Sequence, residues 1–344
     1  MLGNATEENT FPIEAPDGKQ IQIPIRVDDA TDPYLELQQL QQAQDPAAIR
    51  DYYDQHGYVV LRGIMPDEVC DRAIAAYKQQ AKPYQGHLYR QTSSGDAEKN
   101  RFSDNGYLLN SILNVQDLGD PALAEFKQAS LDVITHQHMY DAAQMILGEL
   151  GIIVQSMYFE GNPATWAHQD SYYLDASEIG RLTAAWIALE DIQPGAGRFY
   201  VYPGSHKIDM AKNGGDFDIA FSHERYKQLV INVIDKYKLE CHAPALRKGD
   251  VLFWNSKTIH GSLQTAQPQF SRSSMTAHLI PSSTGFLQFQ TRDRQLKLKQ
   301  IGAFQVNCPK DQEKWLNRQV FNLETRFPQA FKAVKKVVIK LVTR

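Results

Sequence analysis

The sequence changes character near residue 150, where long helical patterns give way to short strands separated by turns. Five later runs have the length of strands and are rich in β-branched and aromatic residues. They are residues 152–159, 183–189, 199–202, 251–254 and 275–280. Helices first and strands afterwards predict an α+β protein, mainly β, in which helices pack on the outside of a β-sandwich or barrel.

Three regions are predicted along the chain. Residues 1–33 are polar with scattered proline and glycine, and we expect an extended N-terminal arm. Residues 34–290 are expected to form the main domain. Within it, residues 82–110 are polar and have no steady period, which is typical of a lid or binding loop. Residues 291–344 are expected to contain no strands and to form a helical extension.

The front of the main domain has helical patterns on both sides of one predicted strand. The first helix carries Leu35, Leu37, Leu40 and Ile49 on one face. A buried strand follows at 57–61, and a second helix begins at Pro66. A third helix is predicted over 123–150.

The last 21 residues, 324–344, form a basic amphipathic pattern. The apolar side chains on its one face are those of Phe331, Val334, Val338 and Leu341, with lysines between them. We favour a terminal helix that packs on the sandwich and turns its lysines to solvent, because basic amphipathic helices are a weak signal. The alternative is a helix that binds a membrane surface or a partner.

Composition excludes several classes of protein. The chain of 344 residues has a net charge of −4, whereas a dedicated nucleic-acid binder has a strong basic excess. Cys70, Cys241 and Cys308 are too few and too scattered for a disulfide framework, which fits a reducing compartment. Neither a secretory signal nor an apolar run of transmembrane length is found in the sequence. The expected location is cytoplasmic.

The segment with the most chemical information is Trp166-Ala167-His168-Gln169-Asp170. In an extended segment, side chains two residues apart point to the same face, so His168 and Asp170 can converge on one metal ion. A second histidine would complete the two-histidine, one-carboxylate triad of non-haem Fe(II) oxygenases, which leaves open positions on the metal. A His-x-Asp pair alone is weak evidence, because such tripeptides occur by chance.

His260 is the best candidate for the third ligand. It follows the strand-like run at 248–255 and precedes Gly261-Ser262, so it is expected at a strand edge that faces the interior. The other histidines compete for the same position: His56, His87, His136, His138, His206, His223, His242 and His278.

Arg272 lies at the start of the next predicted strand. A 2-oxo dicarboxylate that is anchored on iron at one end needs a cation at the other. Arginine suits this role because its planar fork holds a carboxylate through two hydrogen bonds. The hydroxyl of Ser262 can bind the same carboxylate.

With these residues in this order, the chain resembles the phytanoyl-CoA dioxygenase family of 2-oxoglutarate-dependent oxygenases. The stretches that carry the resemblance are 57–63, 168–170, 185–189, 202–206, 249–253 and 260–262, followed by Arg272. The resemblance implies a double-stranded β-helix core, also called a jelly roll and cupin-like, with flanking N-terminal and C-terminal helices. It implies that His168, Asp170 and His260 hold Fe(II).

The resemblance also implies the co-substrates, 2-oxoglutarate and O2. Arg272 and Ser262 would bind the far carboxylate of 2-oxoglutarate, and Thr165, Gln155 and Trp186 would line its pocket. Related halogenases have a small residue in place of the carboxylate ligand, so the presence of Asp170 favours hydroxylation or desaturation. The expected product set is an oxidised small molecule, succinate and CO2.

Two other functions remain open at this point. One is a jelly-roll protein that binds a small molecule without catalysis. The other is a cupin-type dioxygenase or isomerase that needs no 2-oxoglutarate, although such an enzyme has no reason to place an arginine and a serine after the distal histidine. The sequence specifies neither the substrate nor the oligomeric state.

Overall fold

The computed structural model describes residues 10–26, 45–91, 97–218 and 222–334. Its helices are α1 (Pro46–His56), α2 (Asp67–Ala76), α3 (Ala124–Ile134), α4 (Gln137–Leu147), α5 (His223–Tyr237) and α6 (Trp315–Arg326), and residues 328–334 are also helical. Its strands are β1 (Thr10–Glu14), β2 (Gln20–Arg26), β3 (Tyr58–Leu61), β4 (Leu88–Tyr89), β5 (Ala97–Glu98), β6 (Ile112–Leu113), β7 (Gly151–Phe159), β8 (Leu174–Ala176), β9 (Thr183–Ala188), β10 (Phe199–Val201), β11 (Cys241–His242), β12 (Val251–Asn255), β13 (His260–Ser262), β14 (Ser274–Pro281), β15 (Phe286–Gln288), β16 (Arg292–Arg294), β17 (Leu298–Ile301) and β18 (Phe304–Asn307).

The larger sheet has the strand order β17-β18-β7-β14-β9-β12-β3, with β6 also paired to β7. Its central strands are antiparallel and β9 is buried at every position. A strand that is covered on both faces needs apolar residues throughout, which explains the continuous run Thr183–Ala188. All five strands predicted after residue 150, and the strand at 57–61, are confirmed within one or two residues at their ends.

The smaller sheet has the strand order β1-β2-β11-β10-β13. Its first two strands form an antiparallel hairpin, and β2 pairs in parallel with β11. The prediction of an extended arm over residues 1–33 is therefore wrong for residues 10–26, which form a hairpin and extend this sheet. The alternation of Phe11, Ile13, Ile21 and Ile23 with exposed polar residues is the period-two signal of a half-buried hairpin.

Helices cover the larger sheet, since α3 contacts β14 and α4 contacts β7, β9 and β14. A separate apolar cluster joins α5 to the smaller sheet, where Tyr226 and Val230 are buried with Tyr202 and Cys241. The chain is thus a mixed α/β protein, mainly β, as the order of helices and strands predicts. The three cysteines are free and buried.

Local sequence explains where α1 begins and ends. The Asp45 side chain accepts a hydrogen bond from the Ala48 backbone N–H at 3.2 Å, and Pro46 occupies the first turn. Gly57 ends the helix with φ of +77°, and its N–H donates to the Tyr53 carbonyl. A side chain on Gly57 would also collide with His206 and Thr258, so the turn into β3 requires glycine.

Two predictions about the helices and strands are wrong. The helix predicted over 123–150 is two helices, because the chain turns at Thr135 and the His136 side chain accepts from the His138 backbone N–H at the start of α4. Strands also continue beyond residue 291, where β16, β17 and β18 precede the helical end of the chain. Charged, exposed residues in β16 conceal the strand pattern, as is common in edge strands.

Some predicted features lie outside the described residues. The helical positions Leu35, Leu37 and Leu40 are among them, as are Val338 and Leu341 of the C-terminal pattern. Ile49 lies in α1 and is buried. In the part of the chain that the structure describes, each helix is too short or too polar to span a bilayer.

Candidate metal centre and its cavity

The backbone brings His168 and His260 side by side. They form an isolated antiparallel bridge in which the N–H of His168 donates to the His260 carbonyl at 3.0 Å and the reverse bond measures 2.9 Å. Gln169 is extended, with φ −112° and ψ 135°, so Asp170 projects to the same side as His168. Asp170 is the first residue of a short 3₁₀-helix, Asp170–Tyr172.

The three predicted ligands converge. Nε2 of His168 lies 3.7 Å from Oδ1 of Asp170, and Nε2 of His260 lies 3.6 Å from the same oxygen. The candidate ligand atoms of the three residues all lie within 4.8 Å of one another. His260 and Asp170 are buried, whereas the His168 side chain keeps a small exposed fraction.

Hydrogen bonds determine which ring nitrogen of each histidine is available to a metal. Nδ1 of His168 lies 2.9 Å from the Trp166 carbonyl, and Nδ1 of His260 lies 2.9 Å from the Thr258 carbonyl. A carbonyl only accepts, so each Nδ1 carries the proton and each Nε2 presents a lone pair. Both lone pairs are on the side of Asp170, which is the arrangement that a metal-binding histidine requires.

Asp170 is oriented through its other oxygen. The indole Nε1 of Trp254 donates to Oδ2 at 2.9 Å, and Nε2 of His278 lies 3.5 Å from Oδ2. Oδ1 is therefore the oxygen that faces both histidine ligands. Two N–H groups directed at Oδ2 fix the plane of the carboxylate before any ion is bound.

The protonation states also suit a cation. Burial lowers the pKa of His260 to about 4, so the ring is neutral near pH 7. Burial alone would raise the pKa of Asp170, but the imidazoles of His260, His168 and His278 around it hold the pKa well below its usual range. Neutral imidazoles and an ionised carboxylate are the forms in which these side chains bind metals.

The triad lies at the wall of a cavity of about 50 Å³ between the two main sheets. Alternate residues of strands in the larger sheet form one side of the cavity wall. Residues of β10 and β13 form the opposite side. The lining residues are Gln91, Met157, Phe159, Thr165, His168, Asp170, Trp186, Phe199, Trp254, His260, Gly261, Ser262, Arg272, Thr276 and His278.

Arg272 brings a buried positive charge into this cavity. The residue is 3% exposed, its Nη1 donates to the Gly197 carbonyl at 3.1 Å, and its guanidinium lies 5.8 Å from the centre of the Trp186 ring and 5.9 Å from that of Phe159. Its Nε has no hydrogen-bond partner, and within the described residues no carboxylate lies within ion-pair distance of it. Burial lowers its pKa to about 10. A buried cation with unused donors is suited to bind an anion.

The other predicted pocket residues differ in their placement. Thr165, Ser262 and Trp186 line the cavity. The Ser262 hydroxyl accepts from the Thr165 backbone N–H at 2.7 Å and lies 3.0 Å from Oδ1 of Asn162, so it also joins two loops. Gln155 pairs with His278 in the sheet but is not among the residues that line the cavity.

His278 and Trp254 are site residues that sequence reasoning missed. The sequence indicates His278 only as a competing third ligand and Trp254 only as part of a strand. A signal was present, because positions 272, 276 and 278 differ by even numbers and therefore share a face of an extended chain. With the His278 Nε2–H directed at Asp170, its Nδ1 is a buried acceptor that has no partner in the described structure.

The segment 82–110, predicted as a lid, reaches the cavity through Gln91. Arg90 stabilises this segment, since it donates to the carbonyls of Glu98 and Asn110. Arg101 and Asn105 are exposed and do not line the cavity.

The base of this segment is held by one buried acid. Glu160 accepts hydrogen bonds from Nζ of Lys82 at 2.6 Å, the Tyr77 hydroxyl at 2.9 Å and the Leu108 backbone N–H at 2.8 Å. The Glu160 carbonyl accepts from the Arg272 N–H. The lid segment and the buried cation are thus attached to the same residue.

A larger cleft of about 490 Å³ lies between the β1–β2 hairpin and α5, and it shares Thr165 and Ser262 with the metal-site cavity. Tyr200 faces this cleft, whereas the preceding Phe199 faces the metal-site cavity. None of the three candidate ligands lines it. The chemistry of the donor set therefore assigns the reaction site to the smaller cavity.

Comparison with known proteins agrees with this geometry. Residues 53–273 match the phytanoyl-CoA dioxygenase (PhyH) family. The chain belongs to the phytanoyl-CoA dioxygenase family. Members of this family depend on iron and 2-oxoglutarate, and the His-Asp-His triad lies inside the matched range. This family member is a non-haem iron dioxygenase that uses 2-oxoglutarate.

Relatives of known sequence extend the comparison. The bovine (Bos taurus) phytanoyl-CoA dioxygenase domain-containing protein 1 is 30% identical over 155 residues, which cover 44% of this chain and 52% of the relative. The zebrafish (Danio rerio) protein of the same name is 25% identical over 274 residues, covering 70% and 90%. The human (Homo sapiens) peroxisomal phytanoyl-CoA dioxygenase is 21% identical, covering 69% of each chain.

Solved structures share the fold. The non-haem α-ketoglutarate-dependent epimerase SnoN from nogalamycin biosynthesis has a TM-score of 0.52 at 15% identity, covering 77% of this chain and 99% of its own. The carbocyclase SnoK from the same biosynthesis has a TM-score of 0.51 at 17% identity, covering 70% and 85%.

Proposed function

We propose that this enzyme hydroxylates a small organic substrate, with iron held by Nε2 of His168, Oδ1 of Asp170 and Nε2 of His260. The observation that carries the proposal is a buried guanidinium with no carboxylate partner among the described residues, in the same cavity as the imidazoles of His168 and His260 and the carboxylate of Asp170. An iron site with open positions needs only three protein ligands, and the remaining positions can accept a chelating co-substrate.

Arg272 would hold the far carboxylate of 2-oxoglutarate. The hydrogen bond from its Nη1 to the Gly197 carbonyl fixes the guanidinium. Its Nε has no partner, and the nearby rings of Phe159 and Trp186 carry no charge, so an anion is the partner that the guanidinium lacks. Thr165 and Ser262 would complete the polar end of this pocket. We give Gln155 no part in co-substrate binding, because it does not line the cavity.

Bound iron and 2-oxoglutarate supply the oxidising chemistry, in which O2 and 2-oxoglutarate yield succinate and CO2 while a substrate C–H bond becomes C–OH. This chain's residues orient and enclose the reactants. Trp254 and His278 hold the Asp170 carboxylate plane, the aromatic walls exclude water, and the lid segment closes the side on which Gln91 lies.

The facing arrangement of the two sheets around the site, both mainly antiparallel, supports a double-stranded β-helix as the core. The larger sheet would supply Trp186, Trp254 and His278 from one side. The smaller sheet would supply Phe199 and His260 from the other.

The test is turnover of 2-oxoglutarate with Fe(II) and O2, followed as succinate by mass spectrometry. The wild type is expected to form succinate even without substrate, and Asp170→Ala is expected to lose both succinate formation and binding of Mn(II) as an iron surrogate. His138→Ala is the matched control, since His138 is an exposed histidine far from the cavity lining.

Other outcomes would replace the proposal. Oxygen consumption without 2-oxoglutarate would assign the chain to the dioxygenases that need no co-substrate. A protein that binds neither metal nor 2-oxoglutarate would be a binding protein that has kept only the fold.

A further inference from the structure

The α6 helix turns an apolar stripe toward solvent. Leu316, Val320, Leu323 and Phe327 follow one another at the four- and three-residue spacing of one helix face. They are 66, 40, 53 and 51% exposed, and α6 has no buried residue. The helix predicted over residues 324–344 is a later segment, whose residues 335–344 lie outside the described part of the chain.

The opposite face of α6 is attached to the protein. Arg318 donates through Nε to the Gln312 carbonyl at 3.0 Å, and the Phe321 ring meets the Tyr89 ring edge-on at 5.0 Å. Glu324 accepts from the Tyr89 hydroxyl at 2.8 Å. These contacts determine the rotation of the helix about its axis, and they hold the apolar stripe on the outside.

Charge indicates what covers the stripe. Residues 315–344 contain seven lysine and arginine residues and a single acidic residue, Glu324, in a chain whose net charge is −4. Pairing with a second copy would bring cations together without the acidic residues that normally offset them in helix pairs. An anionic lipid surface offers negative charge to the cations and an apolar layer to the stripe.

Trp315 also supports an anionic lipid surface as the partner of the stripe. It is 72% exposed at the start of α6, directly before Leu316 in the sequence. An indole has an apolar body and one N–H donor, and it is favoured where a membrane meets water.

We infer that α6 docks the enzyme on anionic membranes, with Leu316, Val320, Leu323 and Phe327 inserted between the headgroups. Tyr89, which holds α6, belongs to the lid segment, and Gln91 two residues later lines the metal-site cavity. Docking through α6 would thus bring the lid segment close to the membrane. In this arrangement α6 lies in the plane of the membrane surface and does not span the bilayer.

The experiment is flotation of the full chain with vesicles of phosphatidylcholine alone and with vesicles of phosphatidylcholine and phosphatidylserine in equal parts. We expect binding to the anionic vesicles that weakens with added salt, because exposed charges are screened. Leu323→Glu is expected to reduce the affinity at least about tenfold, since it removes an inserted side chain and adds a buried charge.

Asn322→Glu is the matched control, because it adds the same charge at an exposed α6 position off the stripe. It is expected to weaken binding less than Leu323→Glu does. Asp170→Ala is expected to bind vesicles like the wild type, so failure of the metal site and failure of docking are distinguishable. Circular dichroism verifies that each variant is folded.

Three outcomes would overturn the inference. The first is failure to bind anionic vesicles, and the second is equal binding by wild type and Leu323→Glu. The third is a dimer in sedimentation that Leu323→Glu dissociates, without vesicle binding, which would make the stripe an interface between copies.

Discussion

Replacing Arg272 with methionine is expected to stabilise the protein and abolish its response to 2-oxoglutarate. A guanidinium whose pKa is lowered to about 10 by burial carries an unfavourable free energy of about 3 kcal/mol in the folded state. Methionine fills a similar space between Phe159 and Trp186 without this charge. Loss of the hydrogen bond to the Gly197 carbonyl cancels about 1 kcal/mol of the stabilisation gained by removing the charge.

The net gain expected for Arg272→Met without ligand is therefore about 1–2 kcal/mol, measured as the free energy of unfolding in urea. A ligand at a hundred times its Kd stabilises a protein by about 2.7 kcal/mol, so the wild type loaded with Mn(II) should become more stable on adding 2-oxoglutarate. The variant should show no such change. The order of the two stabilities would then reverse when 2-oxoglutarate is added.

Arg272→Lys is the control, because it keeps a buried cation but loses the planar fork. It is expected to be no more stable than the wild type and to bind 2-oxoglutarate weakly. If Arg272→Met instead lost several kcal/mol without ligand, the guanidinium would already be satisfied inside the protein. The argument that its missing partner is an anion would then fail.

Three further predictions concern groups around the site and in the core. His278→Leu removes a donor to Asp170, so Mn(II) affinity in a titration should fall about ten- to a hundredfold, and an unchanged affinity would contradict the orienting role. Glu160→Gln weakens the hydrogen bonds from Lys82 and the Leu108 N–H, so amide hydrogen exchange should be faster around residues 82 and 108. The exchange rates of α5 should not change. Burial raises the pKa of Asp117 to about 7, so its folded form retains a proton that the unfolded chain has lost. Wild-type stability should thus fall by up to about 4 kcal/mol from pH 4 to pH 7 relative to Asp117→Asn, and a difference independent of pH would refute this.

The sequence predicted that the three candidate ligands converge, because the position of each depends on local geometry. Alternation along an extended chain places His168 and Asp170 on one face, and strand-like residues before His260 direct it inward. The buried strands were equally readable, since strands that are covered on both faces contain apolar residues throughout.

The orientation of Asp170 could not be predicted in the same way. It depends on Trp254 and His278, which come from different strands and reach the carboxylate only through the strand order of the larger sheet. The exposed strands after residue 291 were missed because their partners, and not their own residues, define them as strands. The solvent-facing stripe of α6 was missed because periodicity shows an apolar face but not what covers it.

The backbone bridge between His168 and His260 has a consequence for how the enzyme acquires its metal. The two imidazoles come from distant parts of the sequence and become neighbours only when the segment at residue 168 has paired with β13. An unfolded chain therefore offers iron no preassembled pair, and the free energy of metal binding adds to that of folding. Iron supply should thus govern the lifetime of the folded protein as well as its activity.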